Sequence, residues 1–174
     1  MKKIYIVLSY TGTILSRIVK LYTRKEYSHV SIALDKSLDH MYSFGRLNPY
    51  NPFIGGFIQE SPNYGTFKRF KNTKTKIYSL EVSDEDYEII KNTIEDVSKN
   101  RHDYRFNIMG LITVMGHYHL KRENCFYCAE FVKYVLSASS LDLNLPEIIK
   151  PEDFQKMDGL HVIYTGKLSE YDTL

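Results

Sequence analysis

The chain has 174 residues, the length of one compact domain, and it is long enough to bury a core without disulfide staples. Hydrophobic residues make up 43% and charged residues 25%, which excludes a disordered tail or a fibre. The net charge of +2 lacks the basic excess of a dedicated nucleic-acid binder, so we expect no nucleic-acid partner. Two cysteines are too few for a disulfide framework, and their roles are the main question that the sequence poses.

The apolar runs indicate neither a signal peptide nor a membrane span. Residues 4–8 form a short apolar run with no cleavage site after it, and they predict a strand buried on both faces. The run at residues 106–116 has about half the length of a membrane span. We expect a short buried helix over residues 106–115 and, with no transmembrane segment, a cytoplasmic protein with reduced thiols.

A first helix is predicted directly after this strand. Thr11 or Thr13 can cap it, because threonine oxygens accept hydrogen bonds from the free N–H groups of a first helical turn. Ile14, Ile18 and Leu21 recur at helical spacing and predict one apolar stripe on a helix that reaches Tyr22.

Residues 28–34 alternate strictly between two faces, which predicts a strand. One face carries His29 with the small neighbours Ser31 and Ala33, so a helix end is expected to approach that face closely. After a short turn, residues 41–44 are expected to return as the second strand of a hairpin.

Residues 47–74 are different in character. Prolines and glycines lie among aromatic residues, which predicts a long, loop-rich excursion with one short strand near residues 57–59. Ordered loops of this kind often line binding clefts. A surface insertion with only local packing is an equal alternative.

The second half of the chain predicts alternating strands and helices. In chain order these are a strand at 76–82, an amphipathic helix at 84–99, a helix from about 124–127 to about 140, a short helix at 151–157 and a strand at 161–165. Ser83 and Asp86 fit a variant of the capping box at the start of the first of these helices. The whole chain, residues 1–174, is thus expected to be a single α+β domain with a small, mainly antiparallel sheet packed against helices.

Cys125 and Cys128 form a Cys-x-x-Cys pair, with His117 and His119 just upstream. These four residues can bind tetrahedral zinc, although their spacing differs from that of zinc fingers. The pair can also be a redox dithiol, although such sites usually lie in an early βαβ unit.

In a third interpretation Cys128 is a lone nucleophile and Cys125 is incidental. Cys128 lies in the first turn of its helix, and a helix N-terminus stabilises a thiolate. A thiolate nucleophile needs an imidazole partner, for which His29 is the best candidate. The plain alternative is that Cys128 is a small buried apolar residue and His29 a core histidine.

Two segments, YSHVSIAL at residues 27–34 and FYCAEFV at residues 126–132, resemble circularly permuted papain-like hydrolases. These enzymes belong to the NlpC-related superfamily, and the closest resemblance is to the YiiX/YaeF amidase type. Proteins similar to lecithin:retinol acyltransferase share the order of a histidine strand before a cysteine helix, whereas ordinary papain-like enzymes run cysteine before histidine. The resemblance covers residues 4–136 and implies a permuted papain-like fold.

The resemblance implies that Cys128 is the nucleophile and His29 the general base and acid. It implies an acyl-enzyme intermediate, with a backbone N–H at the helix start binding the oxyanion. It also implies a third polar residue, on the strand after the histidine strand, that orients the imidazole. Ser43 occupies that place, with His40 as a nearby substitute, and Glu130 is expected to be a surface or helix-dipole partner.

The sequence therefore predicts a thiol-dependent hydrolase (an amidase or peptidase) or an acyltransferase. It would act on an amide or ester bond of a peptide, a small amide or a lipid, without a cofactor or a metal. Because serine orients an imidazole less strongly than a carboxylate does, a catalytically weak binding module on the same fold is one alternative. A zinc-stabilised interaction domain that uses His117, His119, Cys125 and Cys128 is another.

Overall fold

A computed structural model describes residues 1–48, 51–107, 110 and 123–171. The strands are β1 (Lys2–Tyr10), β2 (His29–Ala33), β3 (Met41–Asn48), β4 (Asn51–Glu60), β5 (Lys74–Val82), β6 (Arg105–Phe106), β7 (Cys125–Phe126) and β8 (Leu160–Lys167). The helices are α1 (Ile14–Thr23), α2 (Gly65–Arg69), α3 (Asp84–Lys99) and α4 (Cys128–Ser137), with 3₁₀ turns at Pro151–Lys156 and Leu168–Glu170.

Six strands form one sheet in the order β4-β3-β2-β1-β5-β8, and each neighbouring pair is antiparallel. The short strands β6 and β7 form a separate parallel pair. The predicted α+β class with a mainly antiparallel sheet is therefore confirmed. Strand β1 lies inside the sheet, and its side chains are buried on both faces, as its apolar run predicts.

The two faces of the sheet bury separate apolar clusters. The larger cluster includes Val30 and Ile32 of β2 together with the apolar sides of α3 and α4. The smaller one includes Ala33 of β2 and Phe67 of α2. The apolar side of the helix that carries Cys128 packs on the face that bears Val30 and Ile32, where this packing buries apolar area.

Helix α1 begins as predicted, and its apolar stripe faces outward. Thr13 caps it by accepting a hydrogen bond from the N–H of Ser16 at 3.3 Å. The predicted stripe is exposed, with exposed fractions of 80% at Ile14, 42% at Ile18 and 76% at Leu21. The helix instead packs inward through its smaller side chains, among which Val19 is buried.

The predicted loop-rich excursion contains a ten-residue strand, β4, paired along its length with β3. Proline and glycine indicated loops, but β4 is an edge strand, where these residues are tolerated. At Gly55 an added Cβ would lie 2.7 Å from Cγ of Phe106 and 2.7 Å from the carbonyl oxygen of Gly45. Glycine at this position therefore allows β6 to cross close above the sheet.

The structure confirms other element predictions near these strands. Helix α3 begins after Ser83, whose hydroxyl accepts from the N–H of Asp86 at 2.9 Å, as the capping pattern predicts. Most of the helix expected over residues 106–115 lies outside the described residues. Among the helices that the structure describes, none is long and apolar enough to cross a membrane.

Candidate active site

Cys128 is the first residue of α4, and the residue before it anchors this helix end. The Tyr127 ring is buried and its hydroxyl donates to the carbonyl oxygen of Ile149 at 2.8 Å. The Tyr127 N–H donates to Oε2 of Glu130 at 3.1 Å, so Glu130 caps the helix from within its first turn. Cys128 is thereby placed at a helix N-terminus whose N–H groups lack intrahelical partners.

Aromatic packing fixes this helix end on the sheet. The ring of Phe44 in β3 contacts four other rings at centroid distances from 5.2 to 6.5 Å, those of Phe57, Tyr104, Phe126 and Phe131. Because these rings belong to β4, β7, α4 and the chain before β6, one buried phenylalanine ties the four segments together.

His29 is the first residue of β2, and its imidazole meets a carboxylate. Nε2 lies 2.9 Å from Oε2 of Glu60, the last residue of β4. The hydroxyl of Ser31 donates to the same oxygen at 2.7 Å and lies 3.3 Å from Nε2. The Glu60 side chain is only 11% exposed, so the carboxylate is held in a fixed, largely dry position.

The Cys128 side chain lies beside the imidazole of His29, close enough to raise the pKa of this histidine. Burial lowers the pKa of His29, but the Glu60 charge and the hydrogen bonds with Cys128 and Glu60 outweigh burial and raise the pKa from 6.5 to about 10. His29 is therefore an imidazolium through the neutral range, with the Glu60 carboxylate on one side and the Cys128 sulfur on the other.

The predicted orienting contact of Ser43 with His29 is replaced by another. Ser43 is fully buried, and its hydroxyl donates to the carbonyl oxygen of Val30 at 2.7 Å, so it stabilises the β2–β3 pair. His40, the predicted substitute, is exposed and hydrogen-bonds the Gln59 side chain.

Glu60 makes the contact that was expected of Ser43, and the sequence does contain a signal for it. Glu60 is the only acidic residue between Asp39 and Glu81. A lone carboxylate at the end of an alternating segment, within an otherwise basic stretch, is a candidate partner for a histidine. The sequence does not pair Glu60 with His29, because the prolines and glycines of residues 47–74 indicate loops. The pattern therefore does not place the strand that bears Glu60 beside β3.

A cleft with about 660 Å³ of empty space, open to solvent, contains the Cys128–His29–Glu60 group. Its apolar wall is formed by Leu15, Val19, Phe44, Ile58, Phe67 and Phe106. Arg46 adds a half-buried guanidinium that donates to the hydroxyl of Thr13 at 3.3 Å, and burial lowers its pKa.

Ser28 contributes a buried hydroxyl to this cleft. Its side-chain oxygen has no hydrogen-bond partner among the described residues, and the residue is 8% exposed. Ser9 has an equally unpartnered hydroxyl, but it does not line the cleft. A buried hydroxyl without a partner costs stability, which is consistent with a binding role for Ser28.

The described residues give less support to a zinc site or a redox dithiol at Cys125 and Cys128. Cys125 is half-buried in β7, and both cysteines are free thiols. His117 and His119, the other two members of the predicted zinc set, lie outside the described residues. Within the described part of the chain no group of three or more His, Cys, Asp or Glu residues is arranged to hold a metal ion.

No protein-family model matches the chain, and no curated protein matches it.

Proposed function

We propose that this protein is a cysteine hydrolase, an amidase or peptidase, or an acyltransferase with a Cys128–His29–Glu60 triad and a circularly permuted papain-like fold. One observation carries the proposal: the His29 imidazole is shared between the Cys128 thiol at a helix N-terminus and the buried Glu60 carboxylate. A core histidine needs no such pair of partners, whereas a thiol nucleophile needs both an imidazole and a group that orients it.

The first step is attack of the Cys128 thiolate on the carbonyl carbon of an amide or ester. The thiolate is favoured by the adjacent His29 imidazolium and by the N-terminus of α4. Backbone N–H groups at the start of α4 and the Ser28 hydroxyl are available to donate to the oxyanion that forms.

Collapse of the tetrahedral intermediate breaks the bond to the leaving group. The His29 imidazolium gives its proton to the departing amine or alkoxide, and a thioester on Cys128 remains. Acylation removes the thiolate charge that helps to raise the pKa of His29, so the imidazolium becomes a stronger acid when the proton is needed.

Neutral His29 then takes a proton from water or from an acceptor alcohol or amine as that nucleophile attacks the thioester. The acid, ester or amide product leaves, and the thiolate–imidazolium pair is restored. Glu60 holds the ring throughout by its hydrogen bond with Nε2.

We expect the cleft to bind acyl groups of apolar character, because six apolar side chains form its wall. A peptide, a small amide and a lipid remain the candidate substrate classes, and a cytoplasmic, thiol-reducing compartment remains our proposal for where the chemistry occurs. The alternative of a catalytically weak binding module rested on Ser43 as the orienting group. The Glu60 carboxylate beside His29 is a stronger orienting group, so it favours the enzyme.

The experiment that tests the proposal is alkylation of the intact protein by iodoacetamide at about pH 6, mapped by mass spectrometry, since few ordinary thiols are ionised there. We expect Cys128 to react at least about tenfold faster than Cys125, and His29→Ala to remove that difference.

Ser43→Ala is the matched control, because it deletes the other hydroxyl that was considered for orienting His29. It should leave the Cys128 labelling rate unchanged. Equal labelling of both cysteines, insensitive to His29→Ala, would contradict the proposed dyad.

A further inference from the structure

The exposed apolar face of α1 has no partner among the residues that the structure describes. Ile14, Ile18 and Leu21 lie at i, i+4 and i+7 and form one outward stripe. The cleft wall uses other residues of this segment, such as Leu15 and Val19. Exposed apolar stripes on surface helices are costly in water and mark interaction sites.

Cations accompany this stripe. Four basic residues lie on α1 or directly after it, at positions Arg17, Lys20, Arg24 and Lys25. No acidic residue precedes Glu26, so the helix carries no negative side chain. Within the described residues none of the four cations forms an ion pair, and Lys20 instead lies 4.5 Å from the centre of the Tyr10 ring.

We propose that the outer face of α1 binds an anionic lipid surface. Helices that lie in a membrane interface combine an apolar stripe with lysine and arginine at its border and low overall acidity. Anionic headgroups supply the counter-charges that the described part of the chain does not provide, while Ile14 and Leu21 enter the acyl boundary.

A second copy of the chain fits this face less well. A two-fold contact through α1 places the same surface on both sides of the interface. The four cations of one copy would then face the four cations of the other, which opposes association.

The test is flotation of the full chain with vesicles of phosphatidylcholine alone or mixed with phosphatidylglycerol, without any substrate. We expect binding to the mixed vesicles that weakens with added salt, and little binding to phosphatidylcholine alone. The double variant Ile14→Gln with Leu21→Gln should reduce the partition coefficient by about tenfold or more. Both residues are exposed, so the fold is expected to survive, and unchanged Cys128 labelling checks that it does.

Val162→Gln is the matched control, because Val162 is an apolar residue that is 54% exposed on the edge strand β8 and is not part of α1. It should leave vesicle binding unchanged. The proposal is overturned if the wild type fails to float, if the double variant floats equally well, or if sedimentation shows α1-dependent dimers without vesicle binding. Because no turnover is measured, this result is independent of the proposed hydrolase activity.

Discussion

Replacing Glu60 by glutamine removes one negative charge from the site and leaves the side-chain shape nearly unchanged. Glu60 Oε2 lies 2.9 Å from Nε2 of His29, and the Ser31 hydroxyl is positioned to hold the new amide as well. Geometry is thus largely preserved while the charge that favours the imidazolium disappears. We expect the pKa of His29 to fall.

The size of this fall follows from the contact. An opposite charge this close shifts a pKa by about 1–3 units. The His29 side chain is only 19% exposed, so solvent screening is weak and we expect a fall of about two units. This corresponds to about 3 kcal/mol of lost stabilisation of the imidazolium.

The assay is a proton NMR titration of the imidazole Cε1–H signals. The chain has six histidines, and the spectrum of His29→Ala identifies which signal is that of His29. In the wild type this signal should titrate near pH 10, and in Glu60→Gln near or below about pH 8. An unchanged titration in the variant would refute the assignment of Glu60 as the group that holds His29 protonated.

The same pair predicts how stability depends on pH. The pKa of His29 is raised on folding, so its protonation stabilises the folded state. This contribution to the free energy of unfolding is fully present below pH 6.5 and is lost as the pH rises through about 10. In urea unfolding, Glu60→Gln should therefore lose about 3 kcal/mol relative to the wild type at pH 6.5. The gap should close towards pH 10, and a constant gap would mean that Glu60 acts without its charge.

The remaining predictions concern the oxyanion donor, the second cysteine and a close approach in the sheet. Ser28→Ala should lower kcat for p-nitrophenyl esters by about a hundredfold with little change in KM, whereas Ser9→Ala should not; equal effects would assign Ser28 a structural role. Cys125→Ala should retain ester hydrolysis and the labelling of the other cysteine, and loss of both would favour a two-cysteine site. Gly55→Ala should lower the free energy of unfolding by about 2 kcal/mol, because the new Cβ would clash with backbone and ring atoms. Gly56→Ala should cost less, because its Cβ would contact only flexible side-chain atoms at 3.6 Å and beyond. A reversed order in urea unfolding would contradict the packing at Gly55.

The parts of the fold that depend on local pattern could be predicted. The apolar run of β1 and the capped periodicity of α3 each identify an element without reference to the rest of the chain. The orientation of α1 could not, because periodicity identifies an apolar stripe but does not say whether another element covers it. The exposed Ile14 is therefore a property of the assembled fold.

The candidate site divides in the same way. Cys128 at a helix start and His29 on a strand could be selected from the sequence. Glu60 could not be paired with His29, because that contact depends on the register of β4 along β3 across a bulge between Arg46 and Asn48. Such long-range pairing is fixed by the sheet as a whole and not by the residues near the glutamate.

Trapping of the acyl-enzyme tests the central claim most directly. The protein is mixed with p-nitrophenyl acetate, quenched in acid, and analysed by intact-mass and peptide-mapping spectrometry. We predict one acetyl group, carried by Cys128, formed with a burst of nitrophenolate and nearly absent in His29→Ala. Acetylation of Cys125 or of lysines alone, or an equal yield in His29→Ala, would contradict the account.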